Sequence, residues 1–102
     1  MSLQTDESGQ LVLEGELTFD TVPEIYRQSV HLLSTSDRLS SVDLSNVMRV
    51  DSAGLALLLE WQALARKRSS NLAFINAPSD LLRLAALSES TSLLRLMARP
   101  GV

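Results

Sequence analysis

The 102-residue chain contains no cysteine, which excludes a disulfide framework, zinc thiolates and a cysteine nucleophile. Its single histidine, His31, has no cysteine or clustered carboxylate beside it in sequence. It therefore reads as a surface or internally satisfied residue and not as a metal ligand. Positive charge is also scarce: nine Lys and Arg stand against twelve Asp and Glu, a net charge of −3, whereas nucleic-acid binders carry a basic field. The longest unbroken apolar run, at residues 55–59, falls far short of the ~20 residues that span a bilayer. Residues 1–7 lack the basic segment and apolar run of a secretory signal. The expectation is a cytoplasmic protein with no direct membrane span, no nucleic-acid partner, and no metal or other cofactor. With 45% hydrophobic and 21% charged residues, residues 1–102 should fold as one domain with a modest core.

What is present alternates between strand and helix patterns. Leu11-Val12-Leu13-Glu14-Gly15-Glu16-Leu17 alternates apolar and polar over part of its length, as a half-buried strand does. The turn signal Asp6-Glu7-Ser8-Gly9 precedes it, so residues 2–5 can pair as a short edge strand. Glu14 and Glu16 share a strand face, and without a basic or nucleophilic companion they read as a solvated face. Thr21-Val22-Pro23-Glu24 has capping-box spacing with proline in the first turn. Val22, Ile25, Tyr26, Ser29, Val30 and Leu33 follow at helical spacing as the core face. Ser34-Thr35-Ser36-Asp37 ends that helix.

Val42-Asp43-Leu44 is a short central strand, and a second helix runs from Ser52 to about Arg68. The cations Arg66, Lys67 and Arg68 at its end complement the negative end of the helix dipole. Residues 71–76 form the next strand, and a third helix opened by Pro78 turns Leu81, Leu84 and Ala85 inward. Residues 93–98 predict a final short helix. Strands alternating with helices give an α/β fold, a small mixed sheet with helices packed on it. Parallel neighbours in such a sheet are joined by right-handed crossovers.

The stretch at residues 42–55 is the most informative. A buried strand breaks there into a polar turn, Ser45-Asn46 onward, and a helix opens at Asp51-Ser52. The free N–H groups of a helix start favour negative charge. Ser52 lies in the first turn, and its hydroxyl can cap the helix or carry a phosphate.

At roughly 100° per residue, the second helix divides into two stripes. Gly54, Leu57, Leu58, Trp61, Leu64 and Ala65 fall on the side that packs on the sheet. Ser52, Ala56, Leu59 and Ala63 fall on the opposite side, flanked by Leu55, Glu60, Arg66 and Lys67. A solvent-facing stripe is ordinarily polar. This one is small and apolar, which suits close approach by another protein, the alternatives being that it lies under another part of the same chain or is a tolerated surface stripe. Asp51, Ser52, Leu55, Ala56, Leu59, Ala63 and Arg66 are therefore the candidate partner-binding or regulatory residues.

Val42-Asp43-Leu44-Ser45 through Val50-Asp51-Ser52-Ala53-Gly54-Leu55 resembles the signature of STAS domains, the family of anti-sigma-factor antagonists and sulfate-transporter tails. The order of elements along nearly the whole chain is that of the STAS fold. More narrowly, Asp43-Leu44-Ser45, Val47, Arg49-Val50-Asp51-Ser52, Gly54-Leu55-Ala56-Leu57-Leu58-Leu59 and Ala65-Arg66-Lys67 resemble the small STAS subunits of bacterial ABC phospholipid transporters. That resemblance implies a non-catalytic accessory subunit that binds, stabilises and activates the cytoplasmic ATPase subunit. Through the ATPase it would work with a membrane permease and a lipid-binding subunit to keep the outer membrane asymmetric. It also implies that Ser52 occupies the family's phosphorylatable Ser/Thr position and that Asp51 is the acidic residue before it. Ala53 departs from the Ser or Gly frequent in relatives at that position, and the chain from Leu87 onward departs most.

The rival reading is an anti-sigma-factor antagonist switched by phosphorylation of Ser52. An enzyme has little support, because no motif ties His31 to Ser52, and a nucleophilic serine needs a positioned base. No glycine-rich phosphate loop is present.

Overall fold

The strand β2 (Gln10–Leu17) and its parallel neighbour β3 (Ser41–Val50) set the geometry of the molecule. In the computed structural model, which describes residues 2–5, 10–35, 40–68, 70–90 and 94–98, Leu11 pairs with Val42 and Val12 with Asp43. The next pairs are Glu14 with Asn46, and Gly15 with Val47, followed by Glu16 with Arg49 and Leu17 with Val50. Twice, β3 uses one more residue than β2. Each extra residue is a bulge that turns the following side chain back to the same face. The buried positions of β3 are thus Val42, Leu44, Val47 and Val50, a spacing of two residues and then three. Gly15 sits at the second shift with φ 101°, a left-handed conformation that glycine adopts without steric cost. The polar Ser45-Asn46 stretch is therefore inside a ten-residue strand and not the turn expected from sequence.

Helix α1 (Val22–Thr35) joins β2 to β3, α2 (Ser52–Lys67) joins β3 to β4 (Ala73–Ala77), and α3 (Ser79–Leu87) joins β4 to β5 (Arg95–Ala98). With β1 (Ser2–Thr5) antiparallel to β2 and the remaining pairs parallel, the five strands lie in chain order β1-β2-β3-β4-β5. Helix α2 lies between α1 and α3. The expected mixed sheet with helices packed on it is the observed architecture.

Beneath α2 the core is apolar with two satisfied polar insertions. Trp61 is fully buried, and its indole N–H donates to the Ser29 hydroxyl of α1 at 2.7 Å. Gln62 is buried as well. Its amide donates to the Leu72 carbonyl at 2.8 Å, and the Leu72 N–H donates back to its Oε1 at 2.9 Å. A buried polar group is tolerated only when partnered in this way. Gln62 thereby pins the end of α2 to the entry of β4.

Three local expectations are corrected. Thr21 and Glu24 make no capping box. The Thr21 hydroxyl donates to the Glu16 carbonyl and accepts from the Thr18 N–H, while Glu24 turns outward to Arg27 and Gln28. Tyr26, assigned to the core face of α1, is exposed. Residues 95–98 form a strand instead of a helix, because pairing with β4 (Ala73 with Arg95, Phe74 with Leu96) overrides local preference. The expected turns at residues 6–9 and 36–37, and the side chains of His31 and Leu33, lie outside what the structure describes.

Candidate functional site

Strand β3 ends at Val50, and the Asp51 N–H donates to the Leu17 carbonyl at 3.1 Å, carrying the sheet ladder one residue further. Asp51 itself is extended, with φ −116° and ψ −170°, and caps α2. Its Oδ1 accepts from the N–H groups of Ala53 at 2.9 Å and Gly54 at 3.3 Å. Its Oδ2 accepts from the Phe19 N–H at 2.9 Å. The Phe19 hydrogen bond, with those of Gly54 and Ala53 and the nearby Arg49 charge, outweighs partial burial and holds the Asp51 carboxyl below its ordinary range. Hydrogen bonds to the ionised form have that effect. The cap is therefore Asp51 and not Ser52. Ser52 is the first helical residue, and its side chain is exposed.

Gly54 lets this junction close. A Cβ there would collide with the Leu17 carbonyl oxygen and come within 2.9 Å of Val50 Cγ1. Helix α2 thus approaches the ends of β2 and β3 at backbone contact, and Ser52 is held at the C-terminal edge of the parallel strands.

The two stripes of α2 are largely as read from sequence. Gly54, Leu57, Leu58, Trp61 and Ala65 are buried, and Leu64 is half-buried. On the outward side Ser52, Ala56, Ala63 and Arg66 are exposed, Leu59 is half-buried against the core and Asp51 is half-buried. Leu55 differs from expectation. It is only 5% exposed and belongs to the core, so its side chain offers nothing to a partner on the free surface. The reason is the lateral packing of α2: with α1 on one flank and α3 on the other, the buried arc is wider than the sheet alone would cover.

Beside Ser52, an open depression of about 390 Å³ is lined by Val50, Asp51, Asp80, Arg83 and Leu84. Asp80 and Arg83, one turn apart on α3, form a loose, exposed ion pair at its edge, 3.5 Å apart. Sequence reading singled out neither residue, since only the sheet brings the start of α3 beside the start of α2. Phe19 and Met48 were also missed; they are 78% and 82% exposed. Phe19 lies next to Asp51 through the hydrogen bond above, and its signal in the sequence was an aromatic placed in a polar turn. No group of three or more His, Asp or Glu side chains able to hold a metal occurs among the described residues.

Comparison with known proteins adds a lineage to this geometry. A family model described as "Mlab, STAS domain" matches residues 2–95. The intermembrane phospholipid transport system binding protein MlaB of Escherichia coli (strain K12) is 33% identical over 85 residues, covering 83% of this chain and 82% of that protein. Among solved structures, a putative anti-sigma factor antagonist from Thermotoga maritima superposes with a TM-score of 0.78 at 13% identity, over 94% of this chain and 84% of that one. The anti-sigma factor antagonist SpoIIAA in its unphosphorylated form superposes at 0.66 and 15% identity, over 98% and 88%. The structural likenesses establish a shared fold. The family match and the MlaB relative establish kinship as well, and this chain belongs to the MlaB-type STAS-domain family.

Proposed function

We propose that this chain is a non-catalytic accessory subunit of a bacterial inner-membrane ABC phospholipid transporter, and that it binds the cytoplasmic ATPase subunit through the outward ridge of α2. In this reading it stabilises and activates the ATPase and helps to maintain the lipid asymmetry of the outer membrane. It acts as a single domain, cytoplasmic and peripheral to the inner membrane through its partner. The observation that carries the reading is the ridge itself. Ser52, Ala56 and Ala63 stand exposed where a solvent-facing helix is ordinarily charged, and the relative that shares the family is named for phospholipid transport. Small side chains let a partner's backbone approach closely, and the half-buried Leu59 offers apolar surface at the centre. No described helix is long and apolar enough to cross a membrane.

The anti-sigma-factor-antagonist reading has one observation in its favour. Ser52 is exposed at a helix start with Arg83 lining the same depression, an accessible place for a phosphate. Affinity purification of the tagged chain from its own cells separates the two. Recovery of a Walker-type ATPase, whose turnover rises when the purified chain is added back, supports the transporter reading. Recovery of a serine kinase or phosphatase with phosphate on Ser52 would replace it.

A further inference from the structure

Phe19 is anomalous within the connection from β2 to α1. Leu17 and Thr18 before it are buried, yet Phe19 is 78% exposed. The exposure does not come from a loose backbone. The Thr18 N–H donates to the Thr21 hydroxyl at 3.0 Å, which donates to the Glu16 carbonyl at 2.8 Å. The N–H groups of Thr21 and Val22 both donate to the Thr18 carbonyl, at 3.0 and 2.9 Å. The Phe19 N–H donates to Asp51 Oδ2 at 2.9 Å. A turn fixed at this many points holds a large apolar ring in water, where hydration is unfavourable. A backbone that is already fixed adds no ordering cost on docking, and aromatic side chains are enriched in protein interfaces.

The Asp51 carboxylate connects this turn to the ridge of α2. One oxygen receives the N–H groups that open the helix, and the other receives Phe19. Phe19 and the opening turn of α2 are thus tied to the same side chain, so the turn that carries Phe19 borders the helix start that carries Ser52. We infer that Phe19 is an anchor of the same protein interface as the α2 ridge, and that Asp51 is the positioning residue that presents it. This inference rests on the reading of the ridge as the docking face for the ATPase subunit. The partner must then offer an apolar recess beside the surface that receives Ser52.

The test is a titration of the purified ATPase subunit of the same transport system with the parent chain, Phe19→Ala, Asp51→Asn and the double variant. Amide hydrogen exchange is read at Phe19 in parallel. Phe19→Ala should keep the parental thermal midpoint and bind about tenfold more weakly or worse. Asp51→Asn retains one acceptor oxygen where two are used, so the Phe19 amide should lose protection and binding should weaken. The loss in the double variant should be clearly less than the sum of the two single losses, as expected of residues acting through one contact. Parental affinity in Phe19→Ala overturns the anchor. Additive losses, or an unchanged Phe19 amide in Asp51→Asn, overturn the positioning role. Failure of the parent chain to bind the ATPase overturns the function proposed above, and this inference with it.

Discussion

The two faces of α2 belong to one helix and do opposite things. The inward face carries Leu57, Leu58, Trp61 and Gln62, all buried, with hydrogen bonds to Ser29 and Leu72 that tie α1 and β4 to the helix. The outward face carries Ser52, Ala56 and Ala63, exposed and small. One face therefore holds structural obligations, and changing it should damage folding. Ser52, Ala56 and Ala63 on the other face are relieved of them, and changing these three should damage only what they touch. That separation is what makes the site assignable, because a residue with no role in the fold is the one whose replacement reports on function.

The separation can be attacked first at Gly54, where the inward face is closest to the sheet. Gly54→Val places a branched side chain against the Leu17 carbonyl oxygen and Val50. It should lower stability by about 3 kcal/mol or more, measured by urea unfolding. A variant as stable as the parent would mean that α2 does not approach the strands this closely. Gln62→Leu should be the next most damaging. It keeps the volume but strands the buried Leu72 N–H and carbonyl, a loss of about 2 kcal/mol. An unchanged unfolding midpoint would show that the strand entry finds other partners.

Acidification tests the boundary between the faces. The Asp51 carboxyl is held low in the folded state, so its contribution is full above the ordinary carboxylate range. It is lost as pH falls through that range and below the depressed folded value. Protonation puts a hydrogen where N–H groups need acceptors. Asp51→Asn offers one acceptor oxygen in place of two and should be less stable than the parent near neutrality by about 1 kcal/mol. The difference should shrink as the parent is acidified. A gap independent of pH would remove ionisation of Asp51 from the account.

Much of this was legible in the sequence, and the failures have physical causes. The strand–helix order and the inward placement of Trp61 follow from periodicities of two and 3.6, which need only local residues. Strand β3 was read too short because its two bulges change the spacing of buried residues from two to three, and the polar Ser45-Asn46 then resembles a turn. Strand β5 exists through pairing with β4, which no local pattern announces. Leu55 was assigned to the outward stripe because a helical wheel does not include the helices on either side. The acidic residue before Ser52 is visible in the sequence, but the role of Asp51 as the cap needs the structure, as does its hold on Phe19.

The burial of Leu55 and half-burial of Leu59 also decide which substitutions are clean. A charge at Leu59 would disturb the core along with the surface, whereas Ala56, Ala63 and Ser52 are exposed. The central claim is tested most directly by titrating the purified ATPase subunit with Ala63→Glu and Ser52→Asp beside the parent chain. The unfolding free energy of each variant should stay within about 0.5 kcal/mol of the parent. Both should bind at least roughly tenfold more weakly, and Ser52→Ala should bind nearly as the parent does. Folded acidic variants that bind the ATPase with parental affinity would contradict the claim that the outward face of α2 is the docking surface.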